Sequence, residues 1–462
     1  MPSARPNLVF MMTDHQRYDS FGMVQGGVQV APNLNRLGSQ SCFFERTYNT
    51  APLCAPARTA LFTGKCPFHT GVVNNDFEGV TAQDHKPFQQ YLAEAGYDVA
   101  HVGIDHVKVK PPYRERVPFA LWVSNAEHRR YLKEHIEGEP YPDPHLFSKE
   151  ITEIQQGEPV RRRFSSTTTA AWPYPVEHSL DSYWCRRAVE FLERPHERPF
   201  ALFLFLWAPH PPLRVPEPYA SMFDPGDLEL PPNVGQTADG EPANRRKGIA
   251  GQLGEGVSMD EWRKVWAAHL GLVNLADGGI GTVLEALDSA ALSEETVVVF
   301  TVDHGDFLGQ HRMYQKFEMY EPAIRMPLLV RMPGAEAHAF DTPVSHLDIM
   351  PTLMALMDMD APGDLEGASL ADSVSQGTAP PSRPVFCEFC GSRSRDINRR
   401  AVITHRWKYV YDPEDAPELY DLRTDPLEMT NLAADPRYAE TIHQLHAEAK
   451  AWAERCGDWV EF

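Results

Sequence analysis

Five apolar runs of strand length, each closed by polar residues, limit what this chain can fold into more than any other feature. They are Asn7 to Met12, Asp98 to Gly103, Phe200 to Trp207, Val297 to Val302 and Pro327 to Met332. Near-continuous hydrophobicity over so few residues suits a strand covered on both faces, because neither side of it is left for water. Helical spacing fills the gaps between runs: Ser182 to Leu192 is one such stretch, and His269 to Leu287 another, with Leu270, Val273, Leu275, Ile280, Val283 and Leu284 on its apolar face. The alternation predicts a layered α/β domain. A segment rich in Pro, Ser, Gly and Asp, Ala361 to Pro384, reads as a linker or peripheral excursion. Beyond it, Arg400 to Tyr411 and Glu418 to Leu422 have the pattern of short antiparallel strands. Tyr438, Ile442, Leu445, Ala449 and Trp452 then mark one face of a last helix. A length of 462 residues accommodates a large domain, 1–375, and a smaller α+β unit, 376–462.

The polar residues just past the runs are chemically informative. Asp14 comes after the first, His106 after the second, His210 after the third, and Asp303 with His304 after the fourth. Ligands of open α/β sheets bind beyond the carboxyl ends of the strands, so these residues are candidates for one shared site. Any one of them alone would be a polar group closing a loop. Asp14, Asp303 and His304 together offer oxygen and imidazole donors to a divalent cation. Calcium prefers an all-oxygen shell, and the histidine tilts the choice toward manganese or, less often, zinc. His15 is either a further ligand or a neutral hydrogen-bonding group. Cys54 lies just before Pro56 and a run of helix formers that ends at Gly64, which places it at a helix N-terminus. Unpaired amides and the helix dipole there favour an anion, and Arg58 adds a cation about one turn on.

The residues from Cys54 to Arg58, Cys-x-Pro-x-Arg, followed by Thr59-Ala60-Leu61-Phe62-Thr63-Gly64, closely resemble the signature of the type I, formylglycine-dependent sulfatases of the alkaline phosphatase superfamily. That family includes the related phosphonate monoester hydrolases. The resemblance continues in matching order from Asn7 to about Leu432. Asn7 to Gln16 resembles the first strand and metal loop, and Ala95-Gly96-Tyr97 through His106 the second active-site loop. Thr301 to His311 with Lys316, Tyr320-Glu321 and Arg325 to Leu329 resembles the second metal loop and its anion-binding lysine. Ser345 to Asp348 with Pro351-Thr352, then Glu418 to Leu422, Asp425-Pro426 and Asn431-Leu432, are later landmarks. The resemblance implies a large mixed, mostly parallel sheet sandwiched by helices, with a smaller C-terminal subdomain. It also implies that a maturation enzyme oxidises Cys54 to formylglycine and that residue 54 joins Asp14, His15, Asp303 and His304 around one calcium or manganese ion. A hydroxyl on residue 54 would attack the sulfur or phosphorus, and its second hydroxyl would expel inorganic sulfate or phosphate. His106 would assist that collapse, His210 would serve the leaving-group oxygen, and Lys316 and Arg58 would neutralise developing charge.

Two departures bear on the substrate. Where the family's second loop carries Lys-x-His, this chain has Ile104-Asp105-His106, and the first metal loop reads Asp14-His15-Gln16. The leading expectation is hydrolysis of aryl, sugar or alkyl sulfate monoesters. Phosphonate monoester or phosphodiester hydrolysis at the same site is the rival, supported by Asn75, which resembles a substrate-contacting residue of that subgroup. Asn74 and Asn75 could equally form a turn. A catalytically silent binding relative is the third reading. Lys108, Lys110, Arg114, Arg116 and the run Arg161-Arg162-Arg163 are candidates to replace the lost cation, although a charge run is more often a solvated loop.

The net charge of −21 argues against nucleic acid and anionic membranes as partners. No run reads as a signal peptide or a membrane span, and seven scattered cysteines suit a reducing cytoplasm. Cys42, Cys66, Cys185 and Cys456 read as incidental buried thiols, and Cys387-x-x-Cys390 as a weak zinc or redox signal. The sequence leaves open whether the chain forms a homo-oligomer.

Overall fold

A computed structural model describes residues 5–76, 82–83, 85–138, 140, 143–393 and 395–462. Its centre is a sheet built from β1 (Asn7–Asp14), β2 (Cys42–Tyr48), β3 (Asp98–Gly103), β4 (Leu121–Val123), β7 (Phe200–Pro209), β8 (Thr296–Val302), β9 (Arg325–Arg331), β10 (His338–Phe340) and β11 (Val344–Ser345). A hairpin of β5 (Ser148–Gln155) and β6 (Glu158–Ser165) stands apart from it. The order across the sheet is β10-β2-β9-β8-β1-β7-β3-β4, with β11 also pairing β2. β1 runs parallel to both β7 and β8, and β3 is parallel to β7 and β4, whereas β9 is antiparallel to β8 and β2. Every residue of β1 and β8 is buried. This is the double coverage that their unbroken apolar composition requires.

Helices cover both faces. α1 (Cys54–Thr63) is buried over its whole length, and Gly64 ends it in the left-handed region at φ 65°, its N–H donating to Ala60 O. A Cβ there would come within 2.6 Å of Leu365 Cδ2 and push that side chain aside, but it is the left-handed conformation that calls for glycine. After the short α2 (Pro67–Thr70) come α3 (Leu180–Leu192) and the long α4 (Met259–Ser289). α4 begins ten residues before the apolar pattern used to find it, because Ser258 and Glu261 form a capping box ahead of a charged first turn. By length and composition α4 could cross a membrane, contrary to the sequence expectation, but most of its apolar window is buried inside the protein.

The C-terminal unit is a four-stranded antiparallel sheet, β12 (Val385–Phe389), β13 (Arg399–Ile403), β14 (Trp407–Tyr411) and β15 (Glu418–Asp421), backed by α5 (Ala439–Cys456). Its strands alternate in the two-residue period. Val385, Cys387, Phe389, Ala401 and Ile403 join the main core, while Val402, Tyr409 and Leu419 pack with Leu445 and Ala449 of α5.

Candidate active site

The carboxyl ends of β1, β3, β7 and β8 converge beside the start of α1, and local backbone conformation aims the side chains there. The β1 register slips between Met12 and Asp14, and His15 lies in the left-handed region at φ 69°. In a regular strand neighbours face opposite ways. The left-handed turn lets Asp14 and His15 serve the same site, in a conformation that few residues other than glycine adopt and that histidine tolerates better than most. Gln315 and Phe317 have φ 64° and 82° and flank Lys316 in the same manner.

At the centre, the Lys316 ammonium donates to Cys54 Sγ at 3.0 Å, to His15 Nε2 at 2.8 Å and to His304 Nε2 at 3.0 Å. Three protons meet three acceptors. Both rings can accept because their other nitrogens are committed as donors: His15 Nδ1 to Asp306 Oδ2 at 2.8 Å, and His304 Nδ1 to Gly305 O at 3.1 Å. Cys54 Sγ also lies 3.2 Å from His304 Nε2. Below this layer, Arg58 donates through Nε to Asp303 Oδ2 at 2.8 Å and through Nη2 to Asp14 Oδ2 at 3.0 Å. Arg58 is therefore spent on the two carboxylates, although the sequence placed it to serve the nucleophile directly. Asn75 Oδ1 accepts from the Ala55 amide at 3.1 Å, so one of the free N-terminal amides expected of α1 is occupied. Asn74 is the turn residue, its Oδ1 accepting from Asp76 N.

Burial governs the protonation states. It pushes the Cys54 thiol up to about 12, with help from the Asp14 charge. That outweighs the anion-favouring pull expected from the helix dipole, and an unmodified Cys54 is a neutral thiol. Asp14 is raised to about 7 by burial and then by Asp303. Burial also acts on Asp303, but Arg58, His304 and Lys316 overcome it and hold that carboxyl below the usual range. Burial lowers His304 to about 3 and drives His15, His106 and His210 well below the ordinary imidazole value, with Lys316 adding to the push on His15 and His210. Burial works against the Lys316 charge, but the carboxylates of Asp14 and Asp303 outweigh it and hold the ammonium above its ordinary value.

Donor atoms of Asp14, Cys54, Asp303 and His304 lie within 4.8 Å of one another, and those of Asp14, His15 and His210 form an overlapping group. Asp14 Oδ1 is buried without a hydrogen-bond partner among the described residues. A fully buried carboxylate oxygen left unpaired this way fits a cation-binding role. Above the cluster opens a cavity of about 590 Å³ lined by Cys54, Asn75, His106, His210 and Lys316. Trp207 and residues 161–165 form part of its wall, and the His210 ring lies against Trp207 at 4.0 Å between centroids.

Residues 6–359 match the sulfatase family, and residues 309–455 match the C-terminal region of N-sulphoglucosamine sulphohydrolase. The chain belongs to the sulfatase family. It is a sulfuric ester hydrolase by that membership, with the fold of the alkaline phosphatase superfamily. Among its relatives, an arylsulfatase of Clostridium perfringens is 27% identical, the match covering 96% of this chain and 93% of that one. An N-acetylglucosamine-6-O-sulfatase of Bacteroides thetaiotaomicron is 25% identical over 96% of this chain and 85% of its own length. Among solved structures, a phosphonate monoester hydrolase of Agrobacterium radiobacter superposes with a TM-score of 0.81 at 21% identity, covering 98% and 96% of the two chains.

Several members of the candidate site are not legible in the sequence. Asp306 fixes His15, with its Oδ1 held by the Leu308 and Gln315 amides. The signal was present, since Asp306 stands three residues after Asp303, but a carboxylate serving only to orient a ring has no spacing rule. Asn49 donates to the Asp303 carbonyl, and Gln315 to Ser165 O, across separations that no local pattern encodes.

Proposed function

We propose that the chain hydrolyses organic sulfate monoesters in the cavity above Cys54 and releases inorganic sulfate. Cys54 is oxidised after translation to formylglycine, and Asp14, Asp303, His304 and residue 54 hold one divalent ion, manganese or calcium. His15 adjoins this set and faces Lys316. The bound ion supplies Lewis-acid polarisation of the ester oxygens. Formylglycine, once hydrated, supplies the attacking hydroxyl that a neutral, buried thiol does not.

The remaining roles fall to side chains of the chain itself. Lys316 neutralises charge on the sulfuryl oxygens, and Arg58 balances Asp14 and Asp303 so that the anionic ester can approach. His106, neutral in the resting site, takes the proton that residue 54 gives up as sulfate leaves. His210 protonates the leaving-group oxygen. Its neutral resting state arises partly from Lys316, and a bound anion cancels that cation's influence. Asn75 contacts the substrate. The observation that carries this reading is the four-donor cluster at the floor of an open cavity, with Lys316 beside it.

Phosphonate monoester or phosphodiester hydrolysis is the second reading, favoured by Ile104 in place of the usual lysine and by Asn75 at the cavity wall. Matched aryl sulfate, phosphonate and phosphodiester substrates, each assayed with manganese and with calcium, separate the two. The protein is co-expressed with a formylglycine-generating enzyme, and the mass of the peptide containing residue 54 reports conversion. Sulfate turnover exceeding the other two by at least tenfold in kcat/KM is expected. No sulfate release from fully converted protein overturns the proposal.

A further inference from the structure

Two cysteines that look incidental in sequence meet on the far side of the signature helix. Cys66 follows the Gly64 cap of α1 and precedes α2, which carries His69. Glu366 comes from the excursion after residue 361, and Cys456 is the last residue of α5. Donor atoms of these four side chains lie within 4.8 Å of one another.

We propose that Cys66, His69, Glu366 and Cys456 form a structural zinc site that fastens the final helix to the segment beyond the signature helix. The donor set is the first argument. Thiolate and imidazole with one carboxylate is a combination that selects zinc over the hard cations suited to the active site. Geometry is the second. Zinc bonds of about 2.3 Å to sulfur and 2.0–2.1 Å to nitrogen, at the tetrahedral angle, separate the two donors by about 3.6 Å. Cys66 Sγ and His69 Nδ1 are 3.6 Å apart. The same Nδ1 also meets Glu366 Oε1, closer than two donors of one ion stand, so the carboxylate draws back when the metal enters; without it, one ring nitrogen faces a sulfur and a carboxylate oxygen at once. A single hydrogen on that nitrogen serves one of them, whereas a metal ion serves every donor.

The surroundings suit a closed site. Both cysteines are buried, and Glu366 is pinned through Oε2 by the Cys66 amide at 2.7 Å, which leaves Oε1 to point inward. Binding removes the thiol protons, one from each cysteine, and leaves the complex with excess negative charge. Lys65 Nζ, which pairs with Asp364 at 2.8 Å, also lies 3.9 Å from Glu366 Oε1 and offsets part of it. The adjoining cavity, about 490 Å³ and open to solvent beside His69, is the entry path. This site shares no residue with the active site and does not rest on the proposed reaction.

The test is cobalt(II) titration of reduced, metal-stripped protein, followed by the thiolate-to-cobalt charge-transfer band in the near ultraviolet, with zinc competing. Wild type and Cys54→Ser are expected to bind cobalt with the band. Cys66→Ser and Cys456→Ser are expected to bind at least about 100-fold more weakly and lose it. His69→Gln, which keeps both thiols and perturbs folding least, should weaken binding and shift the band. A band lost in Cys54→Ser but kept in Cys456→Ser overturns the proposal. So does a Cys66–Cys456 disulfide found by mass spectrometry of the native protein in place of zinc.

Discussion

His210 shows how one residue's surroundings define its task. Its Nδ1 is committed to the Pro211 carbonyl, so Nε2 alone can face a substrate. Burial and Lys316 leave that nitrogen unprotonated at rest. If it protonates the departing oxygen, its worth depends on how badly the leaving group needs a proton. His210→Ala should slow an alkyl or sugar sulfate by about 10²–10⁴-fold in kcat, and an activated nitrophenyl sulfate far less. Equal losses for both would assign His210 to binding alone. At this scale much of the site was legible: Asp14, Cys54, His106, His210, Asp303 and Lys316 were all picked out, and all line the cavity or the cluster beneath it. Their directions were not. Arg58 turned toward the carboxylates because two buried anions outcompete one thiol for a guanidinium fork. No sequence spacing records that competition.

Among the elements, the hairpin of β5 and β6 decides what can enter. Its sequence, with Glu150 and Glu153 on one strand and three consecutive arginines on the other, carries no hydrophobic period, so the arginine run reads as a solvated loop. The pairing is nonetheless regular from Ser148 to Ser165, and Phe164 rests edge-on against Phe317 at 5.6 Å between centroids. That contact and the Gln315 to Ser165 bond tie the hairpin to the strained residues around Lys316. Arg161, Arg162 and Arg163 thereby reach the cavity wall together with Arg393. Glu150 pairs with Arg161 and Arg163, and Glu153 with Arg162, so their charge is only partly offset. A substrate bearing a second anionic group should feel it. Arg161→Ala and Arg163→Ala are each expected to raise KM for a disulfated or carboxylated sugar by about two- to fivefold. The effect should shrink with added salt. KM for a neutral aryl sulfate should not move, and an equal change for both substrates would reduce the hairpin to a steric wall.

For the molecule as a whole, stability depends on how the C-terminal sheet is inserted between the main core and α5. The short strands were visible in sequence, but their sharing of the large core was not, because alternation alone does not say what each face meets. Charged groups are buried along with the sheet. Lys408 lies between Glu321 and Glu428 at 2.7 and 2.6 Å, which ties β14 to the segment just after Lys316. Glu388 is the less well compensated group. Its Oε1 accepts from Trp452 Nε1 of α5 at 2.8 Å, Arg400 faces it from β13, and the carboxylates of Asp458 and Glu366 lie near. Burial raises it to about 8 despite Arg400 and Trp452. A carboxyl with a folded value above its unfolded one holds its proton in the native state. Its contribution is therefore complete below about pH 4.5 and is lost as pH rises through about 8. Glu388→Gln keeps an oxygen for Trp452 and removes the titration. Thermal unfolding from about pH 5 to about pH 8 should then fall less steeply in the variant, which should gain about 2–4 kcal/mol over wild type at the alkaline end. Parallel curves for the two proteins would mean that water reaches this carboxyl, and that α5 covers the sheet more loosely than the Trp452 contact implies.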